Sequence, residues 1–318
     1  MWLWILFILF IMLCLALDLG VFNKKVHTIT YREAARWTTI WASIAGLFAV
    51  VIYFIYGSNL ISNPTKLEQY EASLQYITGY LIELSLSVDN IFVIAIIFKS
   101  FRIPQKYQHR VLFWGILGAI VFRGLMIGFG VVLIHSFSWT TYLFGLFLII
   151  TAIKMMLEKG DDHTGHFEPK KSFVYRMLRK VIPITTHLDG EKFFIAKRGL
   201  YIATPLFLAL LVIEFTDILF ALDSIPAILS ITTDPFLVFT SNIFAILGLR
   251  SMYFFMANML ESFHYLKYSL IVILTFVGIK LMLVNHYHIP IYISLGIIFL
   301  SLLTGILVSV HDLKKAKQ

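Results

Sequence analysis

Charged residues and cysteines are both scarce in this 318-residue chain. Charged side chains make up 14% of it, against about 25% in soluble domains, while hydrophobic residues reach 59%. That balance excludes a soluble globular protein and a disordered chain. The single cysteine, Cys14, excludes an internal disulfide and every zinc site that needs paired cysteines. What remains is a helical membrane protein that crosses the bilayer several times.

Long apolar runs fill most of the chain. A membrane-spanning helix needs about 20 mostly apolar residues, and several segments reach that length. We therefore predict an all-α integral membrane protein, a single domain over residues 1–318, with about nine transmembrane helices. We expect the first run to be a retained helix, because it lacks a basic leader and a small-residue cleavage site. The predicted spans are 2–22, 37–57, 73–98, 111–135, 139–157, 200–229, 236–258, 268–286 and 290–310.

Lysine and arginine lie almost entirely on one side of these spans. With the N-terminus outside, 21 of the 26 basic residues face the inside, only Lys66 faces outside, and four fall within spans. Because basic loops stay cytoplasmic, we predict an outer N-terminus and an inner C-terminus. The net charge of +8 is then a topology signal that faces anionic lipid at the cytoplasmic face, and no nucleic-acid partner is expected.

The longest polar segment, residues 158–199, falls on the inner side of the predicted topology. Within it, residues 171–181 mix apolar and basic side chains, which predicts a short interfacial amphipathic helix. A regulatory or partner-binding site on the same loop stays an open alternative.

The sequence repeats itself on either side of this loop. Residues 83–90 (ELSLSVDN) match residues 217–224 (DILFALDS), since each has two acids six residues apart and then a small polar residue. An arginine follows in each copy, at 123 or 250, and then a lysine, at 154 or 280. Each copy has three predicted spans, so the second crosses the membrane in the opposite sense. We predict a 3+3 inverted repeat: two leading helices in 1–60, repeats at 73–157 and 200–286, and a final helix at 290–310.

Acids in the middle of two predicted spans are the main chemical signal. A charge at the bilayer centre costs about 2.5–3.5 kcal/mol, so five acids on two helices indicate a function. Inverted repeats place substrate near the midplane, at the interface between their halves. Oxygen donors suit Mn²⁺, Ca²⁺ or Mg²⁺, and residues alone do not separate these ions. The predicted metal ligands are Glu83, Asp89, Asn90, Glu214, Asp217, Asp223 and Ser224.

Four other polar residues receive counter-ion or gating roles. They are Arg123, Arg250, Asn242 and Asp18. Structural alternatives stay open: the arginines could pair with acids as struts, Asn242 could bond between helices, and Asp18 could simply end the first span. Pro226 cannot donate a backbone hydrogen bond, so we expect it to bend the second acidic helix. The same carboxylates can carry protons, which makes exchange of a cation for protons physically natural.

At these residues the sequence resembles the TerC family of bacterial integral membrane proteins, most closely its Alx-type members. The resembling motifs are residues 78–90 (TGYLIELSLSVDN), 214–227 (EFTDILFALDSIPA) and 232–250, and the likeness runs from about 10 to 310. The resemblance implies a protein of the bacterial cytoplasmic (inner) membrane, from the wider LysE-like transporter group, associated with manganese export. The family name comes from tellurite resistance, and Alx-type members have also been labelled redox modulators. A single thiol and an acidic cluster give neither label a visible chemical basis.

These observations predict a secondary transporter that exports Mn²⁺ through a midplane carboxylate site, coupled to protons and without a resident cofactor. Ca²⁺ or Mg²⁺ is a less favoured cargo. No Walker motif for ATP hydrolysis is present, and no nucleophile is arranged with a base, so an enzyme is not expected. The alternative is a membrane scaffold, a metal-loading or redox-modulating partner for other proteins, that would act through residues 158–199. The sequence does not give the oligomeric state.

Overall fold

The computed structural model of the chain contains a bundle of long α-helices and one short β-hairpin. It describes residues 2–17, 30–58, 60, 61, 63, 66–137, 139–157, 183–185, 187–197, 200–256, 265–283, 286, 287 and 289–316. In chain order the helices are α1 (Trp2–Leu17), α2 (Tyr31–Gly57), α3 (Gln69–Ser100), α4 (Gln105–Ser136), α5 (Thr140–Leu157), α6 (Pro205–Leu229), α7 (Pro235–Met256), α8 (Leu266–Leu283) and α9 (Ile291–Ala316). The strands β1 (Phe194–Lys197) and β2 (Leu200–Ala203) lie between α5 and α6.

Six helices in the described part of the chain are long and apolar enough to cross a membrane, namely α2, α4, α5, α6, α7 and α9. The predicted helical class is therefore confirmed, whereas nine spans stay a prediction. Helix α1 is apolar but has only 16 residues. The predicted amphipathic helix at 171–181 lies outside the described residues.

Two helices extend well beyond the apolar runs that predicted them. Helix α3 begins at Gln69, not at residue 73, and α4 begins at Gln105, not at residue 111. Glutamine, lysine and arginine are good helix formers, so the backbone stays helical where the sequence has become polar. Hydropathy reports the apolar stretch, not the end of the helix.

Residues 200–203, predicted as the start of a span, form a strand instead. Strand β2 pairs antiparallel with β1, with Phe194 opposite Ala203 and Lys197 opposite Leu200. Aromatic and β-branched residues on both strands favour the extended backbone. The helix that follows begins at Pro205, whose fixed φ and missing N–H suit the first helical position.

The helices of the first half pack against those of the second. Helix α3 packs on α7, α4 on α6 and α5 on α8, while α2 lies against both α3 and α7. Helix α7 is the central element, because most of its residues are buried on every side. Helix α1 is held at its edge, where Phe7 and Trp4 contact the ring of Phe236 on α7.

The turn between α6 and α7 is held by a capping carboxylate. Asp234 Oδ1 accepts hydrogen bonds from the backbone N–H groups of Phe236 (2.9 Å) and Leu237 (3.3 Å). Burial raises the pKa of Asp234 above its ordinary value, and these two backbone bonds oppose the rise. The cap therefore fixes where α7 begins relative to the end of α6.

Helices α5 and α8 approach so closely that their backbones touch. A Cβ atom added to Gly145 would lie 2.8 Å from the carbonyl oxygen of Gly278. A Cβ atom added to Gly278 would lie 2.9 Å from the carbonyl oxygen of Gly145. Small residues allow this kind of contact between membrane helices.

We expect Gly145→Ala to lower the free energy of unfolding by about 1–3 kcal/mol, because overpacking forces the two backbones apart. Thermal unfolding of the purified protein in detergent measures the loss. Gly128→Ala on α4 is the matched control, since a Cβ atom there meets nothing within 4 Å. Equal stability of the two variants would contradict the close α5–α8 contact.

Candidate ion-binding site

A single buried arginine joins the acids of α3 and α6. Arg123, on α4, is 0% exposed. Its Nη1 donates to Oε1 of Glu83 on α3 and, at 2.7 Å, to Oδ1 of Asn242 on α7. Its Nε and Nη2 donate to the two carboxylate oxygens of Asp217 on α6, at 3.3 and 2.9 Å. One guanidinium therefore connects four helices.

The charges in this network do not balance. Glu83 and Asp217 carry two formal negative charges, and Arg123 carries one positive charge. The Asp217 contact is bidentate, the strongest form of arginine–carboxylate pairing. Taking each ion out of water still costs several kcal/mol. The site can therefore accept a further cation or a proton without losing the arginine.

Two of the predicted ligands on α3 lie on one buried face of the helix. Glu83 and Asn90 are buried, as is Ser87 between them, and α3 runs through them without a break. Their spacing of i, i+4 and i+7 places the three residues on the same side of a helix. On α6, the predicted ligand Ser224 is also buried, and the helix continues through Pro226.

Three of the predicted residues cannot be placed. The side chains of Asp89 and Asp223 lie outside the described ones, and Asp18 lies outside the described residues. Among the residues that are described, no group of three or more histidines, cysteines or acids could hold a metal ion. The five-acid cluster therefore stays a prediction, and the pair Glu83 and Asp217 is the part that the structure brings together.

Several buried polar atoms on these helices have no hydrogen-bond partner among the described residues. Buried polar atoms are nearly always satisfied in folded proteins, so these atoms are candidates for contact with a ligand. Six of these seven atoms are oxygens, the donors that hard cations prefer. They are Gln75 Oε1, Glu83 Oε2, Ser85 Oγ, Ser87 Oγ, Glu214 Oε2, Ser224 Oγ and the amide nitrogen Nδ2 of Asn242.

A glycine on α4 makes room for the third described acid. A Cβ atom at Gly118 would overlap the carboxylate of Glu214 on α6. Sequence reasoning missed this contact, because nothing in the residues around Gly118 signals a carboxylate neighbour. Its significance depends on the α4–α6 pairing, which only the fold supplies.

A small cavity lies beside Asp217, between α3, α4, α6 and α7. Its volume is about 30 Å³, above the roughly 10–15 Å³ that a cavity needs to hold a water molecule. Its polar lining consists of Asn90, Thr216, Asp217 and Arg250. Sequence reasoning missed Thr216, although it stands between Glu214 and Asp217 in the acidic motif. The space is large enough for a water molecule or a small ion.

The β-hairpin segment packs under the end of the bundle that contains the cavity. Ile94, Leu112 and Ile213 line the cavity and also belong to the apolar cluster that Phe193 contacts. The guanidinium of Arg110 lies 5.3 Å from the ring of Phe193 and pairs with Glu191 at 3.1 Å. The segment that leads into the hairpin therefore packs on the apolar cluster that lines the cavity.

We expect Arg123→Met to lower the free energy of unfolding by about 3–5 kcal/mol, because it leaves buried carboxylates without their partner. Adding Glu83→Gln and Asp217→Asn should recover part of that loss. Thermal unfolding in detergent measures both effects. The control is Lys192→Met, which breaks only the exposed pair with Asp189 and should cost less than about 1 kcal/mol. A similar loss in both single variants would refute a structural role for the buried network.

Comparison with known proteins agrees with this architecture. The model of the integral membrane protein TerC family matches residues 68–318. An uncharacterized membrane protein of Myxococcus xanthus is 49% identical over 296 residues, which cover 93% of this chain and 88% of that protein. A protein of Photorhabdus laumondii named putative membrane-bound redox modulator Alx is 48% identical over 295 residues, covering 92% and 90% of the two chains.

A protein of the same name from Escherichia coli is 44% identical over 298 residues, covering 93% and 90% of the two chains. No solved structure shows significant similarity to this chain. The family match covers most of the chain, and these relatives are similar over nearly their whole length. The chain therefore belongs to the TerC family of integral membrane proteins.

Proposed function

We propose that this protein is a secondary transporter that exports Mn²⁺ across the bacterial cytoplasmic membrane in exchange for protons. The observation that carries the proposal is the convergence of Glu83 and Asp217, from two different helices, on one buried cation. A site that places two carboxylates around the single Arg123 guanidinium keeps a formal negative charge, which favours a further cation beside it.

The charge of the acidic motifs favours a divalent ion. The two motifs contain five acids, at positions 83, 89, 214, 217 and 223, and the facing helices contribute two arginines, at 123 and 250. If all are ionised, three negative charges remain uncompensated. One divalent ion and one proton would neutralise them, or three protons would in the empty state. This count of charges favours exchange of the divalent ion for protons.

Asp217 is the residue that an ion and Arg123 would share. It lines the cavity, while Arg123 also donates to Glu83 and Asn242 on the other side. An ion in the cavity could therefore take an Asp217 oxygen while Arg123 keeps two partners. The arginine acts as an internal counter-ion that lowers the cost of the empty site.

The oxygen donors suit a hard cation, and the family resemblance favours one of the three candidate ions. Carboxylate, amide and hydroxyl oxygens from Asp217, Asn90 and Thr216 line the cavity, and such donors suit Mn²⁺, Ca²⁺ and Mg²⁺ alike. Manganese is proposed over the other two because the chain resembles a family associated with manganese export.

Helix packing supports the inverted repeat. In the repeat, α3, α4 and α5 correspond to α6, α7 and α8. The contact between α3 and α7 therefore corresponds to the contact between α6 and α4, and α5 contacts its own counterpart, α8. All three pairs are in contact. The copies differ at one instructive position. Asn242 on α7 bonds to Arg123, while its counterpart on α4, Gly115, has no side chain and lines the cavity near Arg250. The cavity therefore lies where the first repeat has a glycine in place of the asparagine of the second repeat.

The proposed topology gives the site a direction. With basic loops inside, the hairpin and the cavity lie in the cytoplasmic half of the protein. The exported ion would enter from that end, past the apolar lining residues Ile94, Leu112 and Ile213. It would leave toward the ends of α6 and α8, on the other side of the Arg123 network.

We expect Asp217→Asn and Glu83→Gln to lower the initial rate of Mn²⁺ flux at least about tenfold, since weakening the shell around a metal commonly costs about 10–100-fold in affinity. The assay uses proteoliposomes with a manganese-sensitive dye inside, and a pH-sensitive dye reports the opposing proton flux. Asp89→Asn and Asp223→Asn test the two acids that are predicted from sequence alone.

Asp189→Asn is the matched control, because Asp189 is an exposed acid on the hairpin segment. It should transport at the wild-type rate. Each variant is first checked for folding by size-exclusion chromatography. Folded Asp217→Asn protein that transports as fast as the control would end the carboxylate-site proposal.

A redox role is the second candidate, because two of the compared relatives are named putative redox modulators. Thiol–disulfide exchange requires a reactive thiol with a partner thiol, and this sequence has only Cys14, in the apolar helix α1. Cys14 also packs against the apolar cluster formed by α1, α2, α3, α4 and α7. These features favour packing over redox chemistry.

We expect Cys14→Ser to transport Mn²⁺ within about twofold of wild type, because the side chain lies away from the acids on a different helix. The same proteoliposome assay measures it, with Cys14→Ala as a control for the added hydroxyl. Loss of function in both variants, with the fold intact, would favour the thiol and the redox candidate.

A further inference from the structure

A second and larger cavity lies at the opposite end of the bundle from the hairpin. Its volume is about 470 Å³, within the roughly 300–1,000 Å³ of ligand pockets. It is enclosed by the start of α3, the turn after α6, the end of α8 and the start of α9. We call it the Lys280 pocket. Its polar lining consists of Glu71, Gln75, Ser230, Thr232, Thr233 and Lys280.

A buried ammonium group lines this pocket with little compensation. Lys280, in the last turn of α8, is only 8% exposed. Its Nζ donates to Oγ of Ser294 on α9 at 2.9 Å. An ammonium carries three N–H donors, and no carboxylate among the described residues forms an ion pair with it. A buried cation with one neutral partner is costly unless an anion joins it.

The rest of the lining favours an anion at the inner end of the pocket. Helices α3 and α9 begin here, at Gln69 and Ile291, and helix N-termini carry partial positive charge. The hydroxyls of Thr232 and Thr233 can donate further hydrogen bonds. The single acid of the lining, Glu71, is exposed, so it lies at the rim and not beside the ammonium.

The pocket lies at the ends of two helices that are long and apolar enough to cross a membrane, which indicates the source of the anion. Helix α6 ends at Leu229, and α9 begins at Ile291. Both residues line the pocket, so in a bilayer spanned by these helices it would lie near the lipid headgroups. A lysine there can form charge-assisted hydrogen bonds to a lipid phosphate. In an aminophospholipid headgroup, the amine lies nearer to the water than the phosphate does. The exposed acid and the buried lysine of the pocket are arranged in the same order.

We infer that the Lys280 pocket binds the phosphate group of an aminophospholipid headgroup, with the phosphate on Lys280 and the amine toward Glu71. Inorganic phosphate shares the same chemistry and is the competing source. This site is on the opposite side of the Arg123 network from the small cavity. The inference does not depend on the transport proposal.

The test is native mass spectrometry of the whole protein, delipidated in detergent and then supplied with phosphatidylethanolamine or phosphatidylglycerol. We expect Lys280→Met to retain at least about fivefold less phosphatidylethanolamine than wild type, since losing a charge-assisted hydrogen bond to a phosphate costs at least about that factor. Lys280→Arg should keep the lipid. Glu71→Gln should shift the preference from phosphatidylethanolamine toward phosphatidylglycerol.

The repeat supplies a matched control, Lys154→Met. Lys154 occupies the corresponding last turn of α5 but is exposed, so its loss should not change lipid retention. Thermal stabilisation by inorganic phosphate that requires Lys280, without lipid retention, would overturn the lipid and leave free phosphate as the ligand. Equal lipid retention by Lys280→Met and Lys154→Met, with no effect of phosphate, would overturn the site itself.

Discussion

The structure depends on the guanidinium of Arg123, which holds carboxylates from α3 and α6 and an amide from α7. A buried ion pair is a weak source of net stability, because desolvation consumes most of the attraction. In this protein the network of ion pairs fixes the positions of its partner side chains. Each partner must stay in place, since losing one leaves another charge buried and unpaired. The four central helices are therefore fixed relative to one another at the depth where an ion would bind.

Because these helices are fixed relative to one another, small residues are needed to leave space around the site. Gly118 gives the Glu214 carboxylate its space, and Gly115 leaves the cavity open where Asn242 fills the corresponding place in the other half. Interiors are packed at crystal-like density, so a missing side chain is the ordinary way to create a space for a polar group. The chemistry of the site depends as much on these glycines as on the acids.

Hydropathy predicted most of the helices, because a long apolar run has few other stable forms in a bilayer. It predicted the helix ends less well, since α3 and α4 continue through polar residues and residues 200–203 form a strand. The shared buried face of Glu83, Ser87 and Asn90 agrees with helical periodicity. The roles of Thr216 and Gly118 were not predicted, because neither has a local pattern that distinguishes a ligand-lining residue from an ordinary helix contact.

From the residues alone, the sequence determined the helical membrane class and the position of Glu83 within a helix, since hydropathy and periodicity act within one helix. The family followed from its long motifs. Tertiary structure alone decided that Glu83 and Asp217 share one arginine, and that Asn242 completes the set. These residues are up to 159 positions apart along the chain, from 83 to 242. Spacing along a helix carries no information about which helices meet, because that depends on packing among all of them.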